Sequence, residues 1–499
     1  MNYYIGIDIG TTSTKAVAFA ENGDIIARET IGYAIHHPQP NYSEQNPDEI
    51  LEAVINSIYK ITTSLSKDNP LLISFSAAMH SIMAVDEKGN LLTNCIIWAD
   101  NRACEIADQL RATQTGIDFY HKTGVPIHAM SPFCKLLWFK ENQFQLFSKT
   151  ARFIGIKEYI FYKIFGKYIV DTQMASATGL LNINSLQWDE TILAYTGVSA
   201  QHLSEVVDST QQTYLTTQSN YFEDKRLKQV LKTAFIIGGS DGALANLGSD
   251  AITPNVMAIS IGTSCAVRVA TNGVYTDEKM RTFCYHLYNN QYIVGGAGSN
   301  GAIVLQWLRD NILQSKEAYE QFFQQANTIP AGCDGLIFIP YLLGERAPIW
   351  NSHAKGVFFG LDITHTRAHM VRAAMEAVIY HVYSIGKVLM ENNHITEIQA
   401  TGGFTQNPIW LQTLCDMFNC TVLVSGAVES SAAGAVKLGM KSLSIEKKWT
   451  LQTTERYEPD ALQHQTYLQQ FEKFERIYGI LKAEMSNNES NKVIAGMNM

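Results

Sequence analysis

Two short turns in this chain carry the residue types that grip phosphate. Tyr4-Ile-Gly-Ile-Asp-Ile-Gly-Thr-Thr-Ser-Thr-Lys-Ala-Val-Ala-Phe19 reads as two apolar, β-prone runs joined by Gly-Thr-Thr-Ser, a hairpin pattern. Val256-Met-Ala-Ile-Ser-Ile-Gly-Thr-Ser-Cys-Ala-Val-Arg-Val269 repeats it half a chain later, with Gly262 over Gly10 and Thr263 over Thr11. Glycine lets a ligand approach the main chain, and turn N–H groups and hydroxyls bond anionic oxygens. A pair of such turns makes a clamp for the two ends of a triphosphate. Asp8 lies between Ile7 and Ile9, where an unpaired carboxylate costs about several kcal/mol. A hydrated Mg²⁺ beside the phosphates meets that need, and local backbone donors are the alternative. Lys15, four residues after Thr11, reaches outer phosphate oxygens as a point charge or lies solvated at the surface.

Two further segments add a base and a flat surface. Ile236-Ile-Gly-Gly-Ser-Asp-Gly-Ala-Leu-Ala-Asn-Leu-Gly248 is an apolar strand breaking into glycines around Asp241. A carboxylate at a strand's C-terminal end stands where open α/β sheets bind ligands, which makes Asp241 a candidate general base. Its alternative role is the N-cap of a helix over 243–247. Thr401-Gly-Gly-Phe-Thr-Gln-Asn-Pro-Ile-Trp410 places the pair Gly402-Gly403 after a strand, then Asn407 as N-cap with Pro408 at the first helical position. The glycine pair lets a planar base lie against backbone, or it is an ordinary turn.

The elements that position these residues follow from periodicity. A strand over 71–79 follows the first hairpin and a strand at 398–404 follows the second, so each half reads as a hairpin-led α/β unit. Asn46-Pro-Asp-Glu49 starts a helix through Ile50, Val54, Ile58 and Ile61, and a second helix runs through His369, Ala373, Ala377 and Val382. Turn residues at 244–254 mark the boundary, giving domains at 1–245 and 254–445, a helical extension at 446–484 and a disordered polar tail at 485–499. The chain contains no GxxxxGK[ST], so a P-loop fold lacks its fingerprint.

Bulk properties narrow the class. With 499 residues, 46% of them hydrophobic, the chain exceeds one compact domain. A formal net charge of −9 opposes a nucleic-acid partner. The absence of a leader-like N-terminus and of any 18-residue apolar run opposes secretion and membrane spanning. Eight cysteines without a CxxC pair read as reduced thiols of a cytoplasmic protein.

Two more segments carry a family resemblance. Met130-Ser-Pro-Phe-Cys-Lys-Leu-Leu-Trp-Phe-Lys-Glu-Asn142 is similar to the first signature of the FGGY carbohydrate kinases. Gly356-Val-Phe-Phe-Gly-Leu361, followed by His369-Met370 and Ala373-Ala-Met-Glu376, is similar to the second. With the turns and the glycine pair, the resemblance covers roughly residues 3–440. It implies a duplicated ribonuclease-H-like (actin-like ATPase) α/β fold with ATP and Mg²⁺ in an interdomain cleft. It assigns Thr11, Thr12, Ser13 and Lys15 to the outer phosphates, Asp8 and Asp241 to the metal, and Gly262, Thr263 and Gly301 to the nucleotide. Gly402, Gly403 and Asn407 fall to the adenosine, and Asp241 to the base that deprotonates the sugar hydroxyl. Ala78-Met79-His80-Ser81 resembles the Met-His pair of branches acting on xylulose and gluconate, with Met79, His80, Asp100, Arg102 and Asp241 as substrate residues. Arg102 suits a carboxylate gripped through two bonds. Read without the family, Met79 is core packing and Arg102 a helix-start surface residue.

Glu44–Glu49, 79–81, Ile154–Ile160 and Gly344–Pro348 are most similar to the gluconate-phosphorylating branch, making gluconate the first expectation. A xylulokinase-like ketose kinase, a catalytically silent sugar sensor and a chaperone-type ATPase are the competing readings, and a homodimer is left open. The segment 296–301 and Asn407-Pro408 depart from the family pattern, which bears on Gly301 and on nucleotide preference.

Overall fold

In the computed structural model, residues 2–66, 68–425, 429–447, 449 and 453–486 are described. The chain forms two compact units, and neither is continuous in sequence. The first comprises Met1–Ile252, Ala270–Val294 and Glu429–Leu451, and the second Thr253–Val269, Gly295–Val428 and Gln452–Met499.

In the first unit, Tyr3–Ile9 and Ser13–Ala20 form the anticipated hairpin, with Asp8 opposite Lys15. Tyr3–Ile9 also pairs in parallel with Pro70–Ala77, which pairs in parallel with Ala234–Ser240. Ile5, Ile7, Ile73, Phe75 and Ile237 are buried in one core. The helix Pro47–Ser64 covers that face because Ile50, Val54, Ile58 and Ile61 fall on one side of it. Its start is set by Asn46, whose side chain accepts the Asp48 N–H at 3.0 Å, with Pro47 in the first turn.

The opposite face is closed by the helix Ser430–Ser442, which returns from far along the chain. Ala432, Ala433, Val436 and Met440 pack with Tyr4, Val17, Phe19, Leu72 and Ile236. The approach is main chain to main chain. A Cβ on Gly6 would lie 2.3 Å from the Ala432 carbonyl oxygen, and one on Gly434 would lie 1.9 Å from that of Leu244.

The second unit repeats the arrangement. Val256–Ile261 and Cys265–Thr271 form the second hairpin, Glu397–Thr401 runs parallel to its first strand, and Thr421–Ser425 runs parallel beyond that. The helices Arg367–Met390 and Pro408–Phe418 begin where the apolar spacing and Asn407-Pro408 place them. The anticipated C-terminal extension includes the helix Ala461–Ser486, held in this unit by buried Tyr467, Phe471 and Phe474. Met485 and Ser486 end that helix, and the remainder of the expected disordered tail lies outside the described residues. All eight cysteines are free thiols, and no described helix is long and apolar enough to cross a membrane.

The glycine contact yields a stability test. Gly434→Ala should lower unfolding free energy by roughly 1–3 kcal/mol through overpacking, read as a fall in urea midpoint. Gly479→Ala, mid-helix with open space at its Cβ, should instead stabilise by roughly 0.5–1 kcal/mol. Equal midpoints for the two variants would contradict the packing account.

Candidate active site

The first turn is pinned through its carbonyls. Tyr33 Oη donates to the Gly10 oxygen at 2.6 Å, Gln45 Nε2 to the Thr11 oxygen at 2.5 Å, and the Tyr33 N–H to the Thr12 oxygen at 3.1 Å. Trp98 Nε1 donates to Thr11 Oγ1 at 2.9 Å, tying this turn to the segment that carries Asp100 and Arg102. Thr12 itself is exposed. Lys15 is neither loose nor solvated alone, since its Nζ pairs with Glu429 Oε2 at 3.2 Å.

Asp8 and Asp241 come from strands that flank Pro70–Ala77. Ser76 stands in register with Asp8 on one side and with Gly239 on the other. Its hydroxyl donates to Asp8 Oδ1 at 2.9 Å. Burial, then the negative charge of Asp241, push the Asp8 carboxyl up to about 7, against the pull of Ser76 and Lys15. Asp241 is not the helix cap. Ser240 takes that role, accepting the Ala243 N–H at 3.3 Å, and Asp241 becomes the first residue of the helix Asp241–Gly248. Asp241 Oδ1 accepts the adjacent Gly242 N–H at 2.7 Å.

The sugar-side candidates separate into two kinds. Met79 is partly buried against the core, and His80 is buried in a left-handed conformation at φ 69°, a strained state for a non-glycine residue. His80 Nδ1 bonds the Ala177 oxygen at 2.9 Å. Asp100 and Arg102 turn inward. Asp100 is 0% exposed and accepts from the Ser43 N–H at 2.6 Å, while Arg102 bonds both Asp100 oxygens at 2.8 Å and Glu44 at 2.6 Å. The Arg102 guanidinium also lies 3.8 Å over the Tyr42 ring. The two-bonded carboxylate anticipated for Arg102 is therefore the protein's own, and Asp100 has no surface for a hydroxyl.

Lys135, from the first signature segment, explains how these strands of chain stay together. Its Nζ donates to the carbonyls of His80 at 3.0 Å and of Ile97 and Met130 at 2.8 Å each. Burial holds its ammonium down to about 7, with Asp100 pulling the other way.

The second unit contains a cavity of about 610 Å³ lined by Thr263, Gln306, Tyr319, Phe404, Asn407 and Trp410 among others. Asn407 caps its helix, its Oδ1 accepting the Ile409 and Trp410 N–H groups at 3.0 Å each. The site glycines divide here. Gly301 and Gly402 are required by the protein's own packing: a Cβ would lie 2.5 Å from the Ser264 oxygen and 2.4 Å from the Ile261 oxygen, and Gly402 has φ +102°. Gly262 and Gly403 face open space. Gly403 lines the cavity, and bare backbone there, with no internal demand for it, fits the close approach of a ligand.

Sequence reasoning missed Ser76, Glu429, Gln45 and the pocket's Tyr319 and Phe323. The parallel register that sets Ser76 beside Asp8 has no local signal, and Glu429 meets Lys15 across 414 residues of chain.

A Gly-Thr-Thr-Ser turn that follows the buried Asp8 in one unit, and an aromatic-lined cavity in the other, on a repeated hairpin-led fold, fit the class of phosphotransferases. Residues 3–248 match the FGGY family of carbohydrate kinases, N-terminal domain, and residues 257–443 match its C-terminal domain. The chain belongs to the FGGY family of carbohydrate kinases. It is 44% identical over 454 residues to a gluconokinase of Bacillus licheniformis, covering 88% of this chain and 87% of that one. It is 27% identical over 444 residues to a xylulose kinase of Staphylococcus xylosus, covering 88% and 90%. Among solved structures, a gluconate kinase of Lactobacillus acidophilus superposes with TM-score 0.91 at 33% identity, covering 96% and 98%. A ligand-bound xylulose kinase of the same organism gives TM-score 0.92 at 33% identity, covering 97% and 99%.

Two outcomes follow from this geometry. Gly403→Val should keep the wild-type melting midpoint while raising KM for ATP about tenfold or more, the weight of ~1.4 kcal/mol of lost contact. Gly402→Val should lower the midpoint. For Asp8, the folded carboxyl keeps a proton between pH ~4 and ~7 that the unfolded chain has released, so its contribution to stability falls as pH rises through that window. In nucleotide- and metal-free buffer at pH 8, Asp8→Asn should melt at least about 2 °C above wild type, the difference shrinking toward pH 4. A constant difference across pH would remove the titration argument.

Proposed function

We propose that this kinase transfers the γ-phosphoryl group of ATP to the terminal hydroxyl of D-gluconate, giving 6-phosphogluconate and ADP. The observation that carries the chemistry is the pair Asp8 and Asp241 beside the Gly-Thr-Thr-Ser turn, with the capping role left to Ser240. The substrate rests on identity, 44% to a gluconokinase against 27% to a xylulose kinase.

In this reading Asp241 accepts the proton of the 6-hydroxyl. The O6–P bond forms as the bond from Pγ to the β,γ-bridging oxygen breaks, and ADP carries away the electron pair. Thr11, Thr12, Ser13 and Lys15 hold the outer phosphates, with Glu429 orienting the Lys15 ammonium until phosphate competes for it. Gly262, Thr263 and Gly403 bound the nucleotide, and Asn407 shapes its cavity by fixing the helix start. Met79 and His80 face the sugar acid, while Asp100 and Arg102 hold the neighbouring segment in shape. Phosphoryl transfer is governed by such positioning and by charge neutralisation.

Mg²⁺ supplies part of that neutralisation when bound. Two carboxylates, one of which raises the proton affinity of the other, fit a hydrated cation that takes its other ligands from phosphate and water. No group of three or more potential ligands occurs among the described residues, as such a cation requires none. Eight free thiols fit a reducing, cytoplasmic setting.

A second reading, a ketose such as xylulose, is favoured by the xylulose kinase at TM-score 0.92 and 33% identity. A coupled ADP assay over gluconate, xylulose, ribulose and glycerol separates the two, with kcat/KM expected to be highest for gluconate. Asp241→Asn should lower turnover by roughly 10²–10⁴-fold with ADP binding unchanged. Turnover within threefold of wild type would rule out Asp241 as base, and ATP consumption indifferent to added sugar would rule out a sugar kinase.

A further inference from the structure

The strand that delivers Asp241 does not end regularly. Ala234–Ser240 loses register with Pro70–Ala77 between Ile236 and Gly239. Gly238 adopts φ +67° there, and a Cβ on it would lie 1.8 Å from the Phe75 oxygen. Such a bulge removes main-chain groups from the ladder, and groups this deeply buried need other partners. Neighbouring loops take two of them, with the Ile237 N–H bonded to Gln211 O and the Gly238 N–H to Ser209 O, each at 3.1 Å.

Both groups of the Gly239–Ser240 peptide are taken by side chains. Lys157 Nζ donates to the Gly239 oxygen at 3.0 Å, and Gln173 Oε1 accepts the Ser240 N–H at 3.1 Å. Gln173 is anchored at its other end, Nε2 donating to the Leu287 oxygen at 2.7 Å. Gly239 leaves it room, since a Cβ would meet Gln173 Oε1 at 1.9 Å. Lys157 is held in turn by Asp171, Nζ to Oδ2 2.6 Å, with the two side chains 2% and 0% exposed. The other Asp171 oxygen caps the helix Thr172–Ser176 by accepting the Met174 N–H at 3.0 Å. Lys157 stands in the first turn of the helix Ile156–Phe165. Two helices thus hold the Gly239–Ser240 peptide, just before Asp241, through buried side chains that are anchored in turn.

A fully buried ion pair is a weak source of stability, because desolvation offsets its attraction. Geometry is the better account of this one. We propose that Lys157, Asp171 and Gln173 are positioning residues for phosphoryl transfer, fixing the Gly239 carbonyl and the Ser240 N–H and hence the direction in which the Asp241 carboxylate leaves the strand. This rests on the reading of Asp241 as the general base. None of the three needs to touch substrate.

The test is a double-mutant cycle with ATP and gluconate, kcat being expressed per ADP-binding site so that misfolded protein is not counted. Lys157→Met with Asp171→Leu removes the pair without leaving a lone buried charge, and Gln173→Leu removes the second bond if the first variant fails to fold. Each is made in wild-type and Asp241→Asn backgrounds. In wild type, kcat should fall roughly 10–100-fold, the scale of an ångström-sized misplacement, with KM for ATP within about twofold. In the Asp241→Asn background the same changes should cost less than about threefold, because residues acting through one group are non-additive. A kcat within threefold of wild type, or a full multiplicative loss in the Asp241→Asn background, would overturn the proposal. If Asp241→Asn alone stayed within threefold of wild type, the base assignment would fall and take this proposal with it.

Discussion

Two carboxylates brought to strand ends on either side of a shared neighbour repel each other, and the groups around Asp8 answer that repulsion. Asp8 and Asp241 flank the strand bearing Ser76, and the charge of one makes the other reluctant to ionise. A sheet places such groups together cheaply because strand spacing is fixed by backbone hydrogen bonds, whatever the side chains prefer. Charge balance then has to come from elsewhere. Lys15 faces Asp8 across the hairpin, yet its ammonium is shared with Glu429, so the region has room for a further positive partner.

Buried lysines serve this unit as collectors of carbonyl groups. Lys135 gathers three oxygens from separate segments, and Lys157 gathers Gly239 O together with Asp171. An ammonium has three donors on a flexible stem, so one side chain can knot loops that share no secondary structure. Arg102 does related work with a planar fork, gripping Asp100 and Glu44 while stacked on Tyr42. Catalytic-looking charge is here largely internal scaffolding around a small number of exposed groups.

How much of this was readable in the sequence depended on whether the signal was local. Hairpin turns, the caps Asn46 and Asn407 and the Asp241 strand end are local, and the duplicated arrangement of both units follows the two Gly-Thr turns. Ser240 rather than Asp241 caps the following helix because the cap position is decided by one residue of backbone direction. Arg102 was a residue type suited to an anion, but which anion depended on Asp100 and Glu44 folding beneath it. Likewise Gly402 and Gly403 are indistinguishable as letters, and it takes the distant Ile261 carbonyl and a left-handed φ to show that Gly402 is required by the fold.

The helix Ser430–Ser442 has a consequence for how the chain is made. Tyr4, Val17, Phe19 and Leu72 leave a ribosome long before the residues that cover them, from Ala432 to Met440. Through most of synthesis that apolar sheet face is without its own lid, and incomplete units of this kind are the species most exposed to aggregation. A fragment ending at residue 248, although it spans the whole N-terminal family match, would lack this helix and present the same face to water. The end of the N-terminal family match is thus not the end of this unit, and the strand Tyr3–Ile9 has to wait for a helix made far later in the chain.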